Sequence, residues 1–128
     1  MVSVCSKGRR MLAVEPSDTF AAAIRASLSR FGHFCIDHVK TAEEALERIL
    51  QYPPELITIE INLSEMSGLD LLKHLQANPA TQHIPVVVVT TRVGQRDIEA
   101  TQQAGAIMHI HKPFNPLEFA LSLQGIFS

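Results

Sequence analysis

Glu60 closes a mainly apolar run, Leu56-Ile57-Thr58-Ile59, of the kind that forms a buried strand. Two more such runs end in residues that can hold a phosphate: Thr90-Thr91 after Val86-Val87-Val88-Val89, and Lys112-Pro113 after residues 107–110. Glu15 follows a fourth run, Met11-Leu12-Ala13-Val14. In an alternating β/α chain, the C-terminal ends of parallel strands border the crevice where ligands bind. A carboxylate there can accept a phosphoryl group or ligate a hard cation, while a threonine hydroxyl and a lysine ammonium can hold phosphoryl oxygens. The residue types therefore point to phosphoryl chemistry.

Such side chains converge only if strands and helices alternate in a regular frame. Residues 11–14 form the first strand, stopped by Pro16, and Ser17 or Asp18 can cap the first helix. Ala21, Ile24, Leu28 and Phe31 make the stripe of that helix over residues 20–31, ended by Gly32. Residues 33–39 form a weaker strand. Thr41 and Glu44 make a capping box for a helix running to Pro53-Pro54, which proline cannot continue. The third strand spans 55–61, and Leu69, Leu72 and Leu75 line a helix from 68 to 77. Residues 85–89 are β-branched and uncharged, as in a strand covered on both faces. A helix over 95–104 stops at Gly105, a strand covers 107–110, and Asn115, Pro116 and Glu118 stack three start signals for a final helix. Five strands alternating with five helices through short connections predict one α/β domain over residues 1–128: a parallel sheet in a three-layer sandwich.

The bulk properties narrow the function classes. A chain of 128 residues builds one core without disulfides or structural metals. Cys5 and Cys35 show no metal-ligand spacing and are expected as free thiols. A net charge of −2 offers no basic footprint for nucleic acid, and the cluster Lys7, Arg9 and Arg10 is too short to be a binding arm. No apolar run approaches the ~20 residues that span a bilayer. A soluble, cytoplasmic protein with neither nucleic-acid nor membrane partners is expected. Binding of a flavin or nucleotide on this frame needs a glycine-rich loop after the first strand, and Glu15-Pro16-Ser17-Asp18 is acidic and glycine-free.

The order and spacing of Val14-Glu15, Glu55–Glu60, Asn62, Met66-Ser67-Gly68-Leu69, Thr90-Thr91, Ala104-Gly105-Ala106 and His111-Lys112-Pro113-Phe114 resemble the receiver domain of bacterial two-component response regulators, over nearly the whole chain. The resemblance implies a flavodoxin-like fold with strand order 2-1-3-4-5. It also implies a pair of Mg²⁺-binding acids after strand one and a phosphoacceptor aspartate after strand three. A hydroxyl after strand four and a lysine after strand five would bind phosphoryl oxygens, the lysine being joined to proline by a cis bond. Lys112, Thr90 and the adjacent Thr91 fit the phosphate pocket, and Asn62 fits the position whose carbonyl faces the metal. Three positions depart: Pro16 replaces the second metal acid, Glu60 replaces the acceptor, and His109 replaces the aromatic switch residue.

These departures weaken the chemistry. Mg²⁺ is usually held by one or two carboxylates plus phosphate, so Glu15, Glu60 and Asn62 without an acid at 16 make at best a weak site, and no cofactor is expected. Glu extends its carboxylate one methylene beyond Asp, and a misplacement of about 1 Å can cost on the order of a hundredfold in rate. Glu60 is expected either to mimic the phosphorylated state, meeting Thr90 and Lys112, or to form an inert salt bridge. Glu15 can itself hydrogen-bond near Lys112. The working alternative is a phosphorelay receiver using Glu60, Ser64 or Asp70. His109 is read either as a pH-sensitive contact or as a tolerated polar residue. His109 and His111 share a strand face without a third ligand at suitable spacing. On the final helix, Leu117, Leu121, Ala120 and Phe127 are expected to face the core, leaving Phe119, Leu123 and Ile126 either exposed as an interface or packed in a deeper core. The resemblance gives the surface of helix four, strand five and helix five to protein partners: an output domain, a target, a histidine kinase or a second copy. The chain is therefore expected to signal by binding proteins rather than to act as an enzyme.

Overall fold

A computed structural model describes residues 8–31 and 34–127. Cys5, Lys7, the helix stop at Gly32 and His33 lie outside the described residues. The elements run β1 (Arg9–Val14), α1 (Asp18–Phe31), β2 (Phe34–Val39), α2 (Ala42–Gln51), β3 (Leu56–Ile59), α3 (Gly68–Ala77), β4 (Val86–Thr90), α4 (Gln95–Gln103), β5 (Met108–His111) and α5 (Pro116–Gly125). All strand pairs are parallel, in the order β2-β1-β3-β4-β5. This is the flavodoxin-like three-layer sandwich.

The caps at Thr41 and Asn115 act where the sequence places them, and Ser67 adds one that the sequence reading does not mark. Thr41 accepts the Glu44 N–H, Ser67 that of Asp70 and Asn115 that of Glu118. Each satisfies one of the N–H groups left without an intrahelical partner in a first turn. Alternation along the strands divides the core in two. Leu12, Val14, Ile57, Ile59, Val86 and Val88 meet α2 and α3, whereas Met11, Ala13, Leu56, Val87 and Val89 meet α1 and α5. Gly68 begins α3 so close to the end of β3 that a Cβ would lie 2.2 Å from the Glu60 carbonyl oxygen. Only a residue without a side chain lets the helix approach there.

Two expectations fail. In α5 the buried residues are Phe119, Ala120 and Leu123, whereas Leu117 and Leu121 are 46% and 55% exposed. Ile126 is partly buried against the same core. The buried stripe is set by Phe114 ahead of the cap, whose ring stacks on Phe119 at 4.2 Å between centroids. Phe119 and Leu123 are therefore core residues, and neither they nor Ile126 forms an exposed interface. Cys35 is disulfide-bonded, against the expectation of a free thiol. Cysteine spacing along a chain does not report approach in space, and β2 carries Cys35 on an edge strand of the sheet.

Candidate functional site

The strand register brings the ends of β1, β3 and β4 together. Val14 pairs with Ile59, and Ile59 pairs with Val88. The backbone ladder continues just past the strands: Glu15 N–H donates to Val39 O at 3.0 Å, and Glu60 N–H to Val14 O at 3.0 Å. Lys112 N–H donates to Thr90 O at 2.9 Å. The sheet thus fixes the origins of four polar side chains, and all four are enclosed: Glu15 is 2% exposed, Glu60 6%, Thr90 0% and Lys112 3%. The Lys112–Pro113 peptide bond is cis.

Lys112 is the centre of the cluster. Its Nζ donates to Glu60 Oε1 at 2.8 Å and forms a second ion pair with Glu15 Oε1. The ring of Phe20 lies 4.2 Å from Nζ, a cation–π contact on a cation already removed from water. The remaining carboxylate oxygens also have donors. Glu15 Oε2 accepts the Ser17 N–H at 2.9 Å, and Glu60 Oε2 accepts the Asn62 N–H at 3.1 Å. Burial alone would raise the Glu60 pKa. Hydrogen bonds from the Lys112 and Thr90 side chains and from the Asn62 N–H, together with the Lys112 charge, outweigh it and hold the carboxyl below its ordinary value.

The loop after β4 forms the rim. Thr90 Oγ1 accepts the Arg92 N–H at 3.2 Å. The Arg92 guanidinium reaches Asn62 Oδ1 at 3.3 Å and Asp97 at 3.0 Å. Of the residues expected at the site, Glu15, Glu60, Thr90 and Lys112 come together, and Asn62 joins through its backbone. Thr91 is exposed in the loop, beyond the end of β4, and does not share the enclosed cluster. Pro16 is exposed beside Glu15. His109 is half-buried, with Nε2 2.8 Å from Arg92 O and Nδ1 3.2 Å from Thr101 Oγ1. Among the described residues no group of three or more His, Cys, Asp or Glu could hold a metal ion.

Two residues of the site escape a reading by strand ends. Phe20 lies in the first turn of α1 and shows in the sequence only as an apolar residue near a helix start. Arg92 could have been found as a basic residue two positions after Thr90, in a loop on the ligand-binding edge of the sheet.

Comparison with known proteins gives a consistent result. The family model described as the response regulator receiver domain matches residues 11–124. The chain is 31% identical over 108 residues to chemotaxis protein CheY1 of Helicobacter pylori, covering 84% of this chain and 87% of that protein. It is 30% identical over 118 residues to a chemotaxis protein CheY homolog of Campylobacter jejuni, covering 91% of each. Among solved structures, the receiver domain of a signal transduction histidine kinase from Syntrophus aciditrophicus superposes with a TM-score of 0.84. It is 28% identical, and the match covers 93% of this chain and 89% of that one.

Proposed function

Because the chain belongs to the response regulator receiver family, a module of two-component signalling, and fills its acidic pocket with its own side chains, we propose that it is an atypical receiver. It acts through protein–protein contacts with little or no phosphorylation at residue 60. The observation that carries this reading is the double pairing of Lys112, with Glu60 on one side and Glu15 on the other beneath the Phe20 ring. The ammonium group that would receive phosphoryl oxygens is already neutralised and shielded from water.

Glu60 itself supports a standing imitation of the modified state. It takes the Lys112 ammonium, one of the two partners a phosphoryl group at this strand end would take, and the Thr90 side chain helps to hold its carboxyl ionised. The imitation is partial, because a carboxylate carries one charge and a phosphoryl group about two.

The donor set does not fit the divalent cation that the family implies. Glu15 and Glu60 are both paired with Lys112, and Pro16 supplies no side-chain oxygen where the family has its second acid. Mg²⁺ is usually held by one or two carboxylates in near-octahedral array, and here the two that remain already serve the buried lysine.

The contact surface is that of α4, β5 and α5, and its partner is a kinase, an output domain, a target protein or a second copy; α5 itself keeps Leu117 and Leu121 exposed. No helix among the described residues is long and apolar enough to cross a membrane.

The test is incubation with acetyl phosphate and Mg²⁺ followed by intact-mass measurement. An unchanged mass is expected. A stoichiometric gain of one phosphoryl group, mapped to Glu60, Ser64 or Asp70, would overturn the proposal in favour of a working phosphorelay receiver.

A further inference from the structure

His109 lies outside the carboxylate cluster, and its hydrogen-bond partners dictate its protonation. A carbonyl oxygen can only accept, so Nε2, 2.8 Å from Arg92 O, carries a hydrogen. A hydroxyl has a single hydrogen, and buried Thr101 Oγ1 lies 2.9 Å from Ile98 O, an atom that can only accept, so that carbonyl, the shorter of the two contacts, takes the hydrogen. Towards the ring, Thr101 Oγ1 can then only accept, so Nδ1 at 3.2 Å must also donate. The three contacts coexist only with a doubly protonated, charged imidazole.

Removing a proton leaves two unequal choices. The tautomer with hydrogen on Nε2 keeps Arg92, but the Thr101 hydroxyl must then turn from Ile98 to Nδ1. The opposite tautomer sets the Nε2 lone pair against the Arg92 carbonyl and releases the loop. We infer that His109 is a proton-operated latch between the β4–α4 loop, α4 and β5, held by three hydrogen bonds when charged and by two when neutral. Histidine is the side chain whose charge ordinarily changes near physiological pH.

The charged groups on the surrounding elements leave the ring's partners in place. In the loop, the Arg92 guanidinium is occupied by Asp97 and Asn62. On α4, Glu99 accepts from Gln95, and Arg96 is exposed. His111 is exposed two residues along β5, Lys112 is taken by Glu15 and Glu60, and β4 carries no titratable residue. Glu118, in the first turn of α5, is exposed.

The latch reaches the enclosed cluster through one residue. Arg92 donates its N–H to Thr90 and its guanidinium to Asn62 while its carbonyl holds His109. The domain therefore has a proton input to the α4–β5 face that is independent of how Glu60 is used.

The test is ¹⁵N NMR of the histidine rings in the full chain across a pH series. Both His109 ring protons are expected to be slow to exchange in the charged form. The neutral form is expected as the Nε2–H tautomer only, with Thr101 side-chain signals moving at the same midpoint. In Thr101→Val the Nδ1 proton should exchange about tenfold faster, because its acceptor is gone, and the Nε2 proton should be unaffected. Amide protection of α4 should fall across the transition in the wild type and stay level in His109→Gln. An Nδ1–H neutral tautomer overturns the latch. So do Thr101 signals that stay fixed while the ring titrates, a comparison needing no variant.

Discussion

Lys112 and its two carboxylates are buried together, so each is tolerable only because of the others. Isolated ions of this size lose several kcal/mol of hydration on burial, and mutual attraction with filled hydrogen bonds offsets that loss. Lys112→Ala would leave Glu15 and Glu60 enclosed without a counterion. A loss of about 3–5 kcal/mol is expected in urea denaturation at neutral pH. Unchanged stability would show that the three side chains are not coupled. The same cluster sets an acid response. Glu60 has a folded-state pKa below its ordinary 4.5, so it binds protons less readily folded than unfolded. Its contribution is present above the ordinary carboxylate value and is lost as pH falls through the lowered one. Stability of the wild type should therefore drop more steeply below about pH 4.5 than that of Glu60→Gln, which has no proton to gain there. Urea unfolding at a series of acid pH values measures this, and parallel curves would remove the charged Glu60 from the account.

At the scale of the element, local signals and packing signals differ in legibility. The β4 run, the caps at Thr41 and Asn115 and the placement of Glu60 after the β3 run are readable because each depends on a few neighbouring residues: β-branched side chains, an oxygen facing an N–H, a polar residue closing an apolar run. The orientation of α5 is not readable, because apolar residues occupy most of its circumference and periodicity then picks no face. Phe114, outside the helix, decides it by stacking on Phe119. The bonds of His109 and the cap of Phe20 over Lys112 are hidden because each joins side chains on different elements, which only the fold brings together. The corrected α5 face gives a contrast. Phe119→Ala should cost about 3–5 kcal/mol and Leu121→Ala no more than about 0.5, both by chemical denaturation. Equal effects would mean that α5 is rotated from the orientation described. The approach of α3 to β3 is equally specific. A methyl group at Gly68 would meet backbone atoms of Glu60 and Ile61 at 2.2 and 2.8 Å, and backbone cannot swing aside as a side chain can. Gly68→Ala should lose about 1–3 kcal/mol by strain. A neutral substitution would show that α3 can slide without cost.

At the scale of the whole molecule, the family frame is intact while the residues at its strand ends are altered, and the two can be separated experimentally. The sheet order, the strand-end placement of Thr90 and Lys112 and the cis bond after Lys112 belong to the scaffold. Pro16 is exposed, so an acid there would meet water rather than core. Shortening Glu60 by one methylene would withdraw its carboxylate from Lys112 Nζ, now 2.8 Å away, and leave that ammonium with Glu15 as its one carboxylate partner. Pro16→Asp combined with Glu60→Asp is therefore expected to take up one phosphoryl group from acetyl phosphate with Mg²⁺, read by intact mass. Glu60→Asp alone should react on the order of a hundredfold more slowly than the pair, because the second metal carboxylate is still missing. If the double variant folds, by circular dichroism, and stays unmodified, the obstacle lies deeper in the pocket. Glu15 and Phe20 would then be the groups that keep Lys112 out of reach. Adding Phe20→Ala to the double variant distinguishes the two: uptake restored only in the triple variant would make the aromatic cap, rather than the acceptor's length, the feature that closes this receiver to phosphate.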